Sequence, residues 1–158
     1  MAKRKKNNMK EPKIDVNVNS KKEAKSSINA NSFYDKKPTW RFSKVDKSHS
    51  KWKVNEGEFD SILFEKLRSF ENMKWKDILT DKSGRYGTKN HFISPEYIHK
   101  DAQDRLASLQ LEELAQDSLC SIALSGKIRL WGLLLDGVFN IIWLDNEHEI
   151  CPSKKRHT

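Results

Sequence analysis

Two histidines and three consecutive cations crowd the end of this chain: His148, Lys154, Lys155, Arg156 and His157 all fall between Asp145 and Thr158. An imidazole changes charge near neutral pH, so histidine suits either the taking or the giving of a proton in a reaction, and lysine and arginine beside it attract anions. More basic groups lie upstream. Arg129 stands at the start of an apolar run with Trp131 two residues on. The loop DKSGRYGTKN carries Lys82, Arg85 and Lys89 and is followed by His91. That loop holds several donors to phosphate, but it lacks the G-x-x-x-x-G-K-[ST] spacing that cradles a nucleotide.

Other chemistries are disfavoured by what the sequence lacks. No G-x-S-x-G, H-E-x-x-H or G-x-G-x-x-G occurs, which argues against a serine hydrolase, a zinc protease and a dinucleotide enzyme. Glu112 and Glu113 are adjacent and so diverge on a helix, while Asp101 and Asp104 fit a solvated helix face. Cys120 and Cys151 are the only cysteines, with no C-x-x-C, so neither a structural zinc site nor a disulfide framework is expected.

The elements that must position these residues follow from composition and periodicity. Of the 158 residues, 1–53 carry 16 Lys+Arg against 5 Asp+Glu, and 54–158 carry 14 against 17, so the net charge of +8 belongs to the first third. Residues 1–37 are rich in Lys, Asn and Ser and poor in large apolar side chains, and they read as a disordered basic arm. Residues 38–158 read as a single α+β domain. No apolar run is long enough for a membrane span, and no apolar leader follows the basic N-terminus, so a cytoplasmic protein is expected.

Within the domain, the alternation of TWRFSKV reads as a short strand near Thr39. Phe59, Ile62, Leu63, Leu67 and Phe70 recur at helical spacing, and MKWKDIL adds a further turn or two. Ser94-Pro95-Glu96 signals a helix start, with Tyr97, Ile98, Ala102, Leu106 and Leu109 as its buried face up to Gln110. LEELAQD reads as a short acidic connector or a single helical turn. Three strand-like runs then follow, Ser118 to Leu124, Lys127 to Leu135 and Val138 to Leu144, separated by Ser125-Gly126 and Asp136-Gly137; Asp-Gly between apolar runs is a strong hairpin signal. The predicted fold is two helices followed by a three-stranded antiparallel meander, to which the strand at Thr39 adds a fourth. In the middle run Ile128, Leu130, Gly132 and Leu134 read as the core side, leaving Arg129 and Trp131 on a more open face. His148 to Pro152 reads as a short edge segment.

This order of elements, the run KIRLWGLLLDGVFNIIWLDNEHEI and the basic C-terminus resemble the small α+β toxins of the RelE/ParE/HigB superfamily. The motifs W-x-D-I-L, R-L-W-G, W-L-D-x-x-H-E-I and P-S-K-K-R-H-T also look like an uncharacterised bacterial and phage family. The toxin resemblance implies an endoribonuclease of a toxin-antitoxin system that needs no metal or other cofactor, acts on RNA or at the ribosome, and is neutralised by an antitoxin protein. On that reading His148 and His157 are acid and base, Arg129 clamps the phosphate, and Lys154, Lys155 and Arg156 stabilise charge. Trp131 stacks a base, and Arg85, Lys89 and His91 join them if their loop folds over the sheet. This chain departs from those toxins in its near-neutral domain and greater length. The competing reading is a non-catalytic RNA-binding or protein-interaction module. The plainer accounts of the same residues are a histidine at an exposed strand end, a turn at Asp145-Asn146, and a frayed basic terminus.

Overall fold

The apolar residues of the last third of the chain divide between two core clusters, one on each face of a sheet. The computed structural model describes residues 32–82 and 87–152. It contains five strands, β1 (Thr39–Arg41), β2 (His91–Phe92), β3 (Leu119–Ser125), β4 (Ile128–Leu135) and β5 (Val138–Asp145), in the order β1-β5-β4-β3-β2. β1 pairs with β5 in parallel and the other neighbours are antiparallel. The expected α+β class therefore holds, while the expected three-stranded meander forms the centre of a mixed five-stranded sheet. Asp136 and Gly137 make the β4–β5 turn with φ of 48° and 84°, the backbone pair that Asp-Gly supplies in a tight hairpin.

Four helices clothe the sheet. α1 covers residues 56–70 as Glu56–Glu58, a π-helical segment Phe59–Leu63, and Phe64–Phe70; α2 is Trp75–Thr80. Leu63, Leu67, Trp75 and Ile78 from these helices pack with Cys120, Ile122, Leu124, Leu130 and Leu144 on one face. The indole of Trp75 also donates to the Gly137 carbonyl at 2.8 Å, fastening α2 to the hairpin turn.

On the opposite face lie α3 (Lys100–Ser108) and α4 (Glu112–Ser118). Ala102, Leu106 and Ala115 pack there against Trp52, Trp131, Leu133, Ile142 and Trp143. Two indoles of this core, Trp131 and Trp143, are opposite one another in the β4–β5 register, after which the pairing slips to Gly132 and Ile141. The slip accommodates a close approach: a Cβ on Gly132 would meet the Asn140 carbonyl oxygen at 2.4 Å and the Phe139 ring at 2.6 Å. Full burial of each large side chain in these layers contributes roughly 1.5–3 kcal/mol.

Several expectations are corrected here. Both sheet faces are covered, so Trp131, 1% exposed, is core and not an open-face residue. The helix expected from Ser94 is interrupted: Pro95–Tyr97 forms a 3-10 turn, Ile98 is extended, and α3 starts only after His99, whose Nδ1 accepts the Asp101 N–H at 3.1 Å. Tyr97 is consequently 72% exposed rather than buried. The acidic connector, expected to be at most one helical turn, is the longer helix α4. Ordered structure also begins before residue 38, since Phe33–Asp35 forms a 3-10 turn with Phe33 edge-on to Trp75; residues 1–31 of the expected arm lie outside the described residues. Among the described residues no helix is long and apolar enough to cross a membrane.

Candidate functional site

The face of the sheet that carries Trp131 and Trp143 ends in polar residues beyond the two indoles. Alternation along β4 puts Arg129 on the same face as Trp131, and the register sets Arg129 between Ala123 on β3 and Asp145 on β5. His91 on β2 is opposite Ser121, two positions from Ala123, and so belongs to the same polar end. Its short strand is held by buried Asn90, whose Nδ2 donates to the Ile78 carbonyl at 2.6 Å and whose Oδ1 accepts the Ala123 N–H at 2.7 Å.

Asp145 organises the turn after β5. Its fully buried carboxylate accepts the Glu149 N–H at 3.0 Å on one oxygen and the Ile150 N–H at 2.9 Å on the other. Ile150 is buried in the core, and its carbonyl accepts the His99 N–H at 2.6 Å. Between these anchors His148 takes φ of 58°, a left-handed backbone that disfavours residues with a Cβ. The expected edge strand at 148–152 is absent; the segment is a clamped turn that holds up one imidazole.

Arg129 is a half-buried cation without an ion-pair partner among the described residues. Its Nη1 donates to the Gly126 carbonyl at 2.7 Å and the Ile128 carbonyl at 3.1 Å, and no carboxylate of the described residues lies within ion-pairing distance. Desolvation lowers its pKa, opposed by the Asp145 charge. His148 is also lowered from the usual histidine value, first by desolvation, then by the charge of Arg129, with Asp145 opposing and His91 adding to the effect. His91 is lowered by desolvation and by Arg129, against a backbone contact to Thr88 that favours its charged form.

A cavity of about 320 Å³ opens beside Arg129 with Lys66, Lys89, Asn90 and Ser125 in its wall, and another of about 390 Å³ adjoins His148 with Trp52 and His99. Lys89 is engaged with Asp81 at 3.2 Å, an exposed pair that an incoming anion can compete for.

Of the side chains singled out from sequence, His148, Arg129 and His91 are brought together, with Lys89 at the edge. Trp131 is withdrawn into the core, where it has no surface on which a base could stack. Arg85, Lys154, Lys155, Arg156 and His157 lie outside the described residues. Sequence reasoning missed the Asn90 anchor; it read Asp145-Asn146 as a turn, which the structure has, but an Asp at a strand end does not tell which amides its carboxylate will hold. Among the described residues no three His, Cys, Asp or Glu side chains converge as a metal site. Burial pushes the Cys120 thiol up to about 12, which suits packing and not nucleophilic chemistry. The chain matches no protein-family model, and no significant match is found among curated proteins or solved structures.

Proposed function

We propose that this chain is a toxin-like, RNA-directed protein that cleaves RNA through the ribose 2′-hydroxyl, with His148 and His91 as the proton-transfer pair and Arg129 as the phosphate clamp. The observation that carries the reading is the placement of His91, Arg129 and the His148 turn at one polar end of the sheet, where the half-buried arginine has no carboxylate within ion-pairing distance among the described residues. In the reaction one neutral imidazole takes the 2′-hydroxyl proton and the oxygen attacks the adjacent phosphorus. Arg129 neutralises the phosphorane, and the second, protonated imidazole gives its proton to the departing 5′-oxygen. The products are a 2′,3′-cyclic phosphate and a 5′-hydroxyl, a transesterification in which the nucleophile is internal to the substrate. His157, Lys154, Lys155 and Arg156 belong to the proposal on sequence grounds alone, as does an antitoxin partner.

The backbone of His148 adds independent support. A glycine would adopt φ of 58° without steric cost, so a bulky residue in the turn fixed by the Glu149 and Ile150 amides suggests a side chain kept for its chemistry. The test follows from that point. His148→Gly should keep or slightly raise thermal stability while reducing cleavage of a single-stranded RNA by about 10²–10⁴-fold, the range for a lost general acid or base, and His91→Ala should do the same to cleavage. Absence of cleavage and of growth inhibition by the wild-type chain defeats the enzymatic reading. Wild-type RNA binding without cleavage, weakened by Arg129→Ala, would establish the non-catalytic alternative.

A further inference from the structure

The other end of the sheet has an edge of different character. β1 is the outermost strand, with β5 on its inner side. Thr39 turns its N–H inward to the Gly137 carbonyl, so alternation leaves the N–H and carbonyl of Trp40 facing outward. Beside this edge, which has no further strand among the described residues, runs an aromatic groove. Phe42 stands edge-on to Phe59 at 5.6 Å, and Phe59 meets Phe64 at 6.5 Å. Phe42 is 44% and Phe64 50% exposed, which is unusual for rings so close together on a surface. Two cavities of about 480 and 400 Å³ share Phe42 and Phe59 as walls. The π-helical segment Phe59–Leu63 sits at this groove, and such segments are frequent at binding sites.

Charge selects the occupant. Lys47 and Lys53 line the groove, Arg41 and Lys44 flank Phe42, and none of these four has a carboxylate within ion-pairing distance among the described residues. A second copy of the chain would set these cations against their own images, an arrangement that guards edges from self-association. A nucleic acid repeats its charge at every phosphate and would meet Glu56 and Glu71, which also line the walls. An extended peptide alternates its two faces and can place carboxylates toward the cations only.

The geometry points to a docking site for an extended acidic segment of a partner protein, with apolar side chains at alternate positions, which adds a sixth strand outside β1. Backbone hydrogen bonds to Trp40 would supply affinity and the aromatic groove would supply selectivity.

The experiment uses the full chain and a short synthetic peptide of alternating glutamate and valine, followed by calorimetry and amide NMR. The peptide should bind and shift the signals of residues 40–42 and 59–64. Affinity should fall by about tenfold or more in Phe42→Asp and in the double variant Lys47→Glu, Lys53→Glu. Phe64→Asp provides a second aromatic test should the first variant fail to fold. A lysine-valine peptide should not bind. No binding of the acidic peptide, equal binding of the basic one, oligouridylate shifting the same residues in its place, or concentration-dependent dimerisation through β1 each overturns the proposal.

Discussion

Two arginine–aspartate neighbours in this molecule make opposite use of the same chemistry. Arg105 on α3 grips Asp46 in a fork, Nε to one carboxylate oxygen and Nη2 to the other, both at 2.7 Å. The same carboxylate accepts the Trp143 indole at 3.0 Å and the N–H groups of Ser48 and His49. Arg129 and Asp145 are also directly opposed, across β4 and β5, yet they form no ion pair, because Asp145 is spent on two backbone amides and Arg129 on two carbonyls. The first pair is saturated and joins a loop, a helix and the sheet core. In the second, the two bonds come from Nη1 alone, and no carboxylate among the described residues pairs with the cation.

The largest effect should come from the saturated pair. Burial by itself raises the pKa of Asp46, but bonds from Arg105, Trp143 and Ser48 outweigh it and hold the carboxyl well below the usual range. Removing one member of a buried pair leaves the other uncompensated, which costs about 3–5 kcal/mol; Arg105, 28% exposed, can turn toward water, which favours the lower end. Asp46→Ala should therefore lose about 3 kcal/mol in chemical denaturation. Because a depressed carboxylate stabilises the fold only above its unfolded pKa, this difference should be full at neutral pH and shrink as pH falls below 3.8. A loss of a few tenths of a kcal/mol would show the pair to be a surface ornament.

The contrast between the pairs also marks what the sequence could tell. The hairpin at Asp136-Gly137, the stripe of α1 and the three long strands are legible because each depends on neighbours a few residues apart. The Asp46–Arg105 pin joins residues 59 apart, and nothing local in either segment announces it. Trp131 was misplaced for a related reason: alternation tells which residues share a face, but only the arrival of α3 and α4 decides that this face is covered as well. Arg129, Asp145 and His148 were each readable as polar residues at strand ends. Their mutual arrangement was not, since it follows from a register and from a turn set by two amides.

Asp145 tests the second pair from its structural side. Asp145→Ala removes both acceptors that hold the 145–150 turn, and hydrogen bonds to a buried carboxylate are worth about 1.5–3 kcal/mol. Stability should fall by about 2 kcal/mol, less than at Asp46 because no side-chain cation is bonded to the Asp145 carboxylate. Hydrogen exchange should quicken at the Glu149 and Ile150 amides and leave the Trp143 region unaffected. Protection unchanged at those two amides would mean that the turn is held by the core packing of Ile150 and not by the carboxylate.

The smallest effect, and the most specific, concerns the charge that Arg129 leaves unneutralised. That charge lowers the pKa of both His148 and His91, so Arg129→Gln should raise both in an NMR pH titration, while His49, lowered by burial and by Arg105 rather than Arg129, should stay where it is. A histidine with a folded pKa below its unfolded one stabilises the protein above the ordinary value of 6.5 and loses that contribution as pH falls through the interval beneath it. Arg129→Gln should accordingly flatten the loss of stability below pH 6.5 without altering the lower window that belongs to Asp46. If instead it leaves both histidines unmoved, Arg129 does not share their environment, and the three residues are neighbours in the fold without being partners in one site.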